Sequence, residues 1–270
     1  MAHMSVISPD LRKHWRLSGN QVVVAIALMI GVGLVFYSYV ALNEPPPPSR
    51  WPAYFAWSPE TQSLVQPSTG AGAYQSFVLK SWLDEQVPFV PLLAIPYLSF
   101  LLLAPIVVPL LNLRISFKRF LTVAIALIIS QLVLDVAYLL FQTNVIRDVQ
   151  AGDGVGGFLV KQVWGKDQPF NGFPSGHCTW TTIAICSLMR LRKAMPKTAW
   201  IMSGWLLLIY PATVMLRQHY LIDVYTGIFV GFAVYWAVMF VVERPRLMPR
   251  NDDLAQAQGE LFCLRSGSTR

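Results

Sequence analysis

Four histidines occur in the chain: His3, His14, His177 and His219. The last two stand in polar clusters at the edges of long apolar runs, Phe173-Pro174-Ser175-Gly176-His177 and Arg217-Gln218-His219-Tyr220-Leu221-Ile222-Asp223. His219 and Asp223 are four apart, a spacing that stacks two side chains on one helix face. A carboxylate there can accept the ring's Nδ1–H, which fixes the tautomer that leaves Nε2 free as a nucleophile. Ser175 and Gly176, just before an expected helix, offer a hydroxyl and free backbone N–H groups, the makings of an anion site. Each feature has a plainer meaning: an interfacial histidine, a helix-surface hydrogen bond, a helix cap. Taken together with Arg147, they assemble the parts of a phosphoryl-transfer site on one side of a membrane.

The elements that must position these residues are membrane spans. Of the 270 residues, 54% are hydrophobic and 13% charged, about half the charge of a soluble domain. Several stretches exceed the roughly 20 apolar residues that cross a bilayer. Spans are expected at Val22–Leu42, Val87–Leu113, Phe120–Gln142, Cys178–Leu191, Ala199–Leu216 and Leu221–Val242, the fourth being short. The chain is thus read as an all-α integral membrane protein, a six-transmembrane-helix bundle. The second span carries Pro88, Pro91, Pro96, Pro105 and Pro109, so it should be kinked and held by its neighbours. The fifth and sixth meet through a very short link that only a tight helical hairpin satisfies.

Basic residues then set the orientation. The N-terminus, the 114–119 link, the 190–197 link and the C-terminal tail hold 15 of the 21 Lys and Arg. The opposite side holds Arg50, Lys80, Arg147, Lys161, Lys166 and Arg217. Both termini are therefore expected in the cytoplasm of an inner or plasma membrane protein, with both histidine clusters extracytoplasmic. The net charge of +7 is a topology signal and does not point to nucleic acid.

Residues 1–20 comprise Met1-Ala2-His3-Met4, which reads as an expression scar before a second start, and a basic N-terminus. Residues 21–242 form the catalytic membrane domain and 243–270 a polar tail. The outer loop 43–86 opens on Pro45–Pro48, and Tyr74, Val78, Leu79, Trp82 and Leu83 recur at helical spacing, as in a short interfacial helix or an ordinary aromatic belt. Asp135, the one acid well inside a span, is read as a helix-packing group beside Ser130 or Tyr138. Cys178, Cys186 and Cys263 show no pairing or ligand spacing. No cofactor and no metal are expected, because His177, His219 and Asp223 are a thin ligand set beside arginines. A transporter would need polar residues lining several spans at midplane, whereas the cluster sits at one rim.

Pro174-Ser175-Gly176-His177, followed after a span by His219-Tyr220-Leu221-Ile222-Asp223, resembles the type-2 phosphatidic acid phosphatase and vanadium haloperoxidase superfamily. The resemblance runs from Val87 to Val242 and implies a six-helix membrane bundle acting on a phospholipid, isoprenoid phosphate or sphingolipid phosphate without metal. It implies His177 as general acid and His219 as nucleophile, oriented by Asp223. Arg147 fits the arginine of the first motif, but Asp148 replaces the following proline, Leu140 stands where a lysine is usual and Thr213 where an arginine is usual. Arg217, Lys161 and Lys166 are the candidates to replace those phosphate clamps, beside Arg147, Ser175 and Gly176. Together with the lead-in Gln168–Phe173, the pattern resembles the branch containing inositol-phosphorylceramide and sphingomyelin synthases. The expected activity is a lipid-phosphate phosphatase working through a phosphohistidine, with headgroup transfer between lipids as the alternative.

Overall fold

The structure, a computed structural model, describes residues 17–43, 56–58, 63–65 and 78–243. The scar, His14, Pro45–Pro48, Tyr74, Cys263 and the polar tail lie outside these residues. The described chain is helical apart from a three-residue antiparallel pair, β1 (Ala56–Ser58) with β2 (Ser63–Val65). Five helical segments are long and apolar enough to cross a membrane, and the protein is an integral membrane protein.

The first, α1 (Gly19–Leu42), starts on a capping box in which Ser18 accepts from the Gln21 N–H and Gln21 reaches back to the Ser18 N–H, satisfying donors the helix leaves orphaned. Trp82–Glu85 forms a single turn, α2; Val78 and Leu79 lie outside any helix, so the expected interfacial helix is reduced to this turn among the described residues. The proline-rich span is a composite of a 3₁₀ turn at Pro91–Leu93, α3 (Ala94–Leu102), a π turn at Leu103–Val107 and α4 (Val108–Ile115). Pro105 lies inside the π turn and Pro109 just beyond it, and neither can donate to the helical ladder. The expected kink is a local widening of the helix. Next comes α5 (Phe117–Leu140).

A second broken span was not foreseen. Pro196–Leu207 (α8) and Ile209–Met215 (α9) are interrupted at Leu208. Pro211 explains this, because its ring clashes with the carbonyl four residues earlier, that of Leu207. Also unforeseen is α6 (Gly154–Lys166) within the loop that follows α5. The final helix is α10 (Leu221–Glu243).

The expected fourth span is α7 (Gly176–Leu191), with 16 residues. It is the centre of the bundle, packed against α4, α5, α8, α9 and α10, and twelve of its residues are buried. Its hydroxyls explain how a polar helix can be central. Thr179 donates to the Gly227 carbonyl of α10 (3.1 Å), Thr182 pairs with the Tyr210 hydroxyl of α9 (2.8 Å) and Ser187 accepts from Asn112 of α4 (2.9 Å). A Cβ on Gly227 or Gly231 would collide with the Ser175 or Thr179 carbonyl. Small residues there let the α7 and α10 backbones touch. At the far end, Glu243 takes a two-point ion pair from Arg190 (2.6 and 2.7 Å) and a hydroxyl from Thr122 (2.9 Å).

Asp135 packs helices as expected, but with other partners: it accepts from Ser38 of α1 (2.6 Å) and Gln131 (2.7 Å). Cys178 and Cys186 are free thiols on α7.

Candidate active site

Three chain reversals meet at one end of the bundle: the segment after α5, the segment between α6 and α7, and the α9–α10 link. They are laced by backbone and side-chain bonds. Val145 N–H donates to the Pro169 carbonyl (3.0 Å), Phe173 N–H to the Thr143 hydroxyl (2.8 Å) and Ile146 N–H to the Tyr220 hydroxyl (2.9 Å). Asn43, at the end of α1, accepts from the Phe170 and Asn171 N–H groups. The hairpin turn is closed by the Thr213 carbonyl, which accepts from the N–H groups of both Gln218 and His219 (2.9 and 3.1 Å). Arg217 takes a left-handed conformation there, φ 55°, uncommon for a residue with a Cβ.

These reversals bring His177 and His219 together. His219 Nε2 lies 3.4 Å from His177 Nδ1, and both rings are buried. His219 Nδ1 lies 2.9 Å from the Gly172 carbonyl. A carbonyl only accepts, so Nδ1 carries the proton and Nε2 the lone pair. The sequence assigned that task to Asp223, but its Oδ2 stands 3.6 Å from Nδ1. That oxygen accepts instead from the Tyr220 N–H (2.8 Å), the reciprocal half of a capping box at the start of α10. His219 lies two residues ahead of that helix, so no shared helix face brings the pair together. Asp223 supplies charge beside the ring, and Gly172 supplies the hydrogen bond. A Cβ on Gly172 would meet the Thr143 hydroxyl at 2.7 Å, so only glycine lets this carbonyl approach.

Ser175 caps α7, accepting from the Cys178 N–H (3.3 Å), and its own N–H donates to the Asp223 carbonyl (3.0 Å). Gly176 opens the helix beside the histidine. It lines a small aromatic cavity with Phe36, Tyr39, Phe100, Gln131, His177 and Trp180.

Arg147 joins the cluster. Its guanidinium donates to the carbonyls of Trp164 (3.1 Å) and Asp167 (2.5 Å) and to Gln218 Oε1 (3.0 Å), and stacks on the Trp164 ring. Burial lowers its proton affinity, and Asp167 opposes that shift, so the group stays charged. Two buried donors in this network have no acceptor among the described residues, Arg147 Nε and Gln218 Nε2. Buried donors without partners are uncommon, and here they belong to the network that joins Asp167 to the residue next to His219.

The other proposed clamps lie elsewhere. Arg217 turns away from the histidine pair: it donates to the Val87 carbonyl (3.1 Å) and pairs with Asp148 (3.4 Å), which also binds Lys80 (2.9 Å). Lys80, hydrogen-bonded to Asp148, holds that carboxyl below the usual range, and Arg217 adds to the effect. This second cluster lines a pocket on another side of His219, with Asp84 and Tyr220. Lys161 and Lys166 are exposed on α6 and make no hydrogen bond or ion pair among the described residues. Leu140, where the resemblance places a lysine, is 65% exposed on α5, whereas Thr213 is fully buried.

Sequence reasoning missed Asp167, Tyr39, Tyr97, Asn43, Gly172 and Gln218. Asp167 accepts from the phenols of Tyr39 and Tyr97 (2.6 Å each) and from the Asn43 amide (2.8 Å), and stands 3.8 Å from His177 Nε2. Its only sequence signal was its position directly before the Gln168–Phe173 lead-in. Among the described residues no group of three or more His, Cys, Asp or Glu is arranged to hold a metal ion.

Comparison with curated proteins and with solved structures gives no match. The family model of the PAP2 superfamily matches residues 68–246, a stretch that contains both histidines, Arg147 and every helix from α2 to α10. With a paired-histidine cluster in the matched region, this chain belongs to the PAP2 superfamily, whose members are generally phosphoesterases or phosphotransferases.

Proposed function

We propose that the protein is a membrane lipid-phosphate phosphatase that works at the extracytoplasmic face through a phosphohistidine on His219. The observation that carries this reading is the Gly172 carbonyl on His219 Nδ1, which leaves an unprotonated Nε2 facing a second histidine. Arg147 Nε, Gln218 Nε2 and the Gly176 N–H are the donors for non-bridging phosphate oxygens, where preorganised donors contribute most. Ser175 serves by capping α7 and holding that turn in place.

In the first step the Nε2 lone pair forms a bond to phosphorus, the ester P–O bond breaks, and the departing oxygen takes the Nδ1 proton of His177. In the second, an acceptor hydroxyl returns a proton to His177 and attacks phosphorus, and the P–N electron pair returns to Nε2. The same group acts as acid and then base. An attack distance of about 3–3.5 Å on one side of phosphorus and a hydrogen bond on the other need roughly twice the 3.4 Å now separating the rings. The two imidazoles therefore part when substrate enters.

The orientation rests on the basic-residue asymmetry and on reading α7 as a sixth span. At 16 residues it is about 24 Å long, short of the roughly 30 Å hydrocarbon core, but it is shielded by its neighbours and need not match the bilayer. A reporter after Lys193 should then label as cytoplasmic, and one within the Gly152–Gln168 loop as extracytoplasmic.

Headgroup transfer to a lipid hydroxyl is the second reading. One observation favours it: among the described residues Arg147 is the one arginine or lysine bonded into the network at the histidine pair, against Asp167 and Asp223. That balance suits a singly charged diester better than a monoester bearing nearly two charges. Purified protein given a phosphatidate-type monoester, and separately an intact diester phospholipid with a lipid alcohol, decides the matter. Inorganic phosphate released from the monoester alone supports the phosphatase, and headgroup recovered on the second lipid supports the transferase.

A further inference from the structure

The proton inventory of the histidine pair has a consequence beyond those two rings. His219 Nδ1 must be protonated against the Gly172 carbonyl, so its Nε2 can only accept. The facing atom, His177 Nδ1 at 3.4 Å, is complementary to it only as a donor. A neutral His177 then bears its remaining lone pair on Nε2, and that atom faces the Asp167 carboxylate 3.8 Å away. Two acceptors face each other there unless a second proton lies between them. Asp167 thus favours a doubly protonated ring, with one proton directed at His219 and the other at Asp167, against the cost of burying the charge. Doubly protonated imidazole is the form a proton donor needs.

The elements packed on His177 support the same conclusion. Tyr97 of α3 stacks on the ring with centroids 4.6 Å apart, Phe100 lies at 4.7 Å, and Tyr39 of α1 meets it edge-on at 6.3 Å. From α5, Gln131 lines the same cavity. Asp167 is the acid that faces the outer nitrogen of the ring, His219 faces the inner one, and the Arg147 guanidinium donates to the Asp167 carbonyl. The two phenols and the Asn43 amide all donate to Asp167 and hold its carboxylate in place beside the ring. Tyr97 both fixes the carboxylate and stacks on the ring, so carboxylate and imidazole are held to one geometry.

We propose that Asp167 is the positioning residue of the His177 proton donor, so that the site consists of two opposed His–Asp pairs, Asp223–His219 for attack and Asp167–His177 for protonation of the leaving oxygen. This rests on the roles proposed above for the two histidines. It predicts that Asp167 matters in proportion to how badly the leaving group needs a proton.

The test compares two substrates of equal chain length, a long-chain alkyl phosphate, whose alkoxide must be protonated, and a long-chain nitrophenyl phosphate, whose phenolate need not be. Asp167→Asn should lower kcat on the alkyl ester about thirtyfold, within the contribution of a general acid, and leave the nitrophenyl ester within about threefold. His177→Ala should show the same selectivity more strongly, and adding Asp167→Asn to it should cost nothing further, as expected for residues acting as one unit. Tyr39→Phe keeps the carboxylate but removes one donor. It should give a smaller alkyl-selective loss, and it decides the question if Asp167→Asn fails to fold. Equal losses on both esters, or no loss, would overturn the inference. If His219→Ala is inactive on both esters while Asp167→Asn shows no selectivity, only this inference fails. If His219→Ala still turns over either ester, the underlying reading fails with it.

Discussion

Arg147 and Arg217 lie at the same end of the bundle, but their surroundings differ in kind. Arg217 is two residues from His219, yet its left-handed backbone directs the side chain to the Val87 carbonyl and to Asp148. Its charge is absorbed by a carboxylate shared with Lys80, and its contacts tie the loop before α3 to the hairpin. Arg147 is remote in sequence but donates to Asp167 and Gln218; both arginines keep a buried Nε without a hydrogen bond among the described residues, but that of Arg217 faces the Asp148 carboxylate at 3.4 Å. The two sites show that proximity along the chain does not assign a cation to a nucleophile. The backbone conformation at the hairpin and the acceptors already present decide which arginine has binding capacity left. On the function proposed above, Arg147 is the arginine for phosphate and Arg217 the one that ties the hairpin.

Substitutions can break or sharpen that contrast. His219→Ala gives the reference for full loss: kcat should fall at least about ten-thousandfold, as when a nucleophile acting within a unit is removed, and no phosphoryl group should be trapped on the protein by acid quench. Arg147→Lys should come next, with a fall of about a hundredfold, because an ammonium cannot reproduce a planar fork on three acceptors. Retention of most activity would place the phosphate elsewhere. Asp223→Asn should cost about tenfold, less than the nucleophile: the amide oxygen can still accept from Tyr220 and the Gly172 carbonyl still orients the ring, so only the charge beside the imidazolium is lost. Steady-state kcat at fixed pH separates these three.

Arg217→Ala should leave kcat within about threefold but lower the thermal midpoint measured in detergent, since it unties Val87 and Asp148 from the hairpin. A fall as large as that of Arg147→Lys would erase the distinction drawn above. The smallest effect is expected for Lys161→Ala with Lys166→Ala, because both side chains are exposed on α6. Turnover should stay within about twofold, and any salt-dependent change in KM would mark them as surface attraction for an anionic lipid.

Comparison of α1 with α7 shows why some of the architecture could be read early and some could not. Only Ala25 and Val32 of α1 are buried. Such a helix must be apolar all round within the bilayer, and hydropathy finds it with ends correct to about three residues. The neighbours of α7 supply its solvent, so its hydroxyls and short length are tolerated, and the same measure nearly misses it. The prolines announced one broken span because there were five of them. They did not announce the second, where Pro211 stands alone.

The sequence by itself determined that this is an integral membrane protein, that its helices end near two histidine clusters, and that those clusters with Arg147 resemble a phosphoryl-transfer family. Composition and motif order suffice for that, because lipid solvation and local capping act residue by residue. Only the tertiary structure decided which acceptor fixes His219, since the Gly172 carbonyl comes from a different reversal of the chain. It also decided that Arg217 turns to Val87 and Asp148, that Lys161 and Lys166 are exposed on α6, and that Asp167, Tyr39 and Tyr97 converge on His177. Those placements depend on how three loops cross at the end of a bundle. No spacing along a single segment carries that information, because each partner in the network is contributed by a different helix.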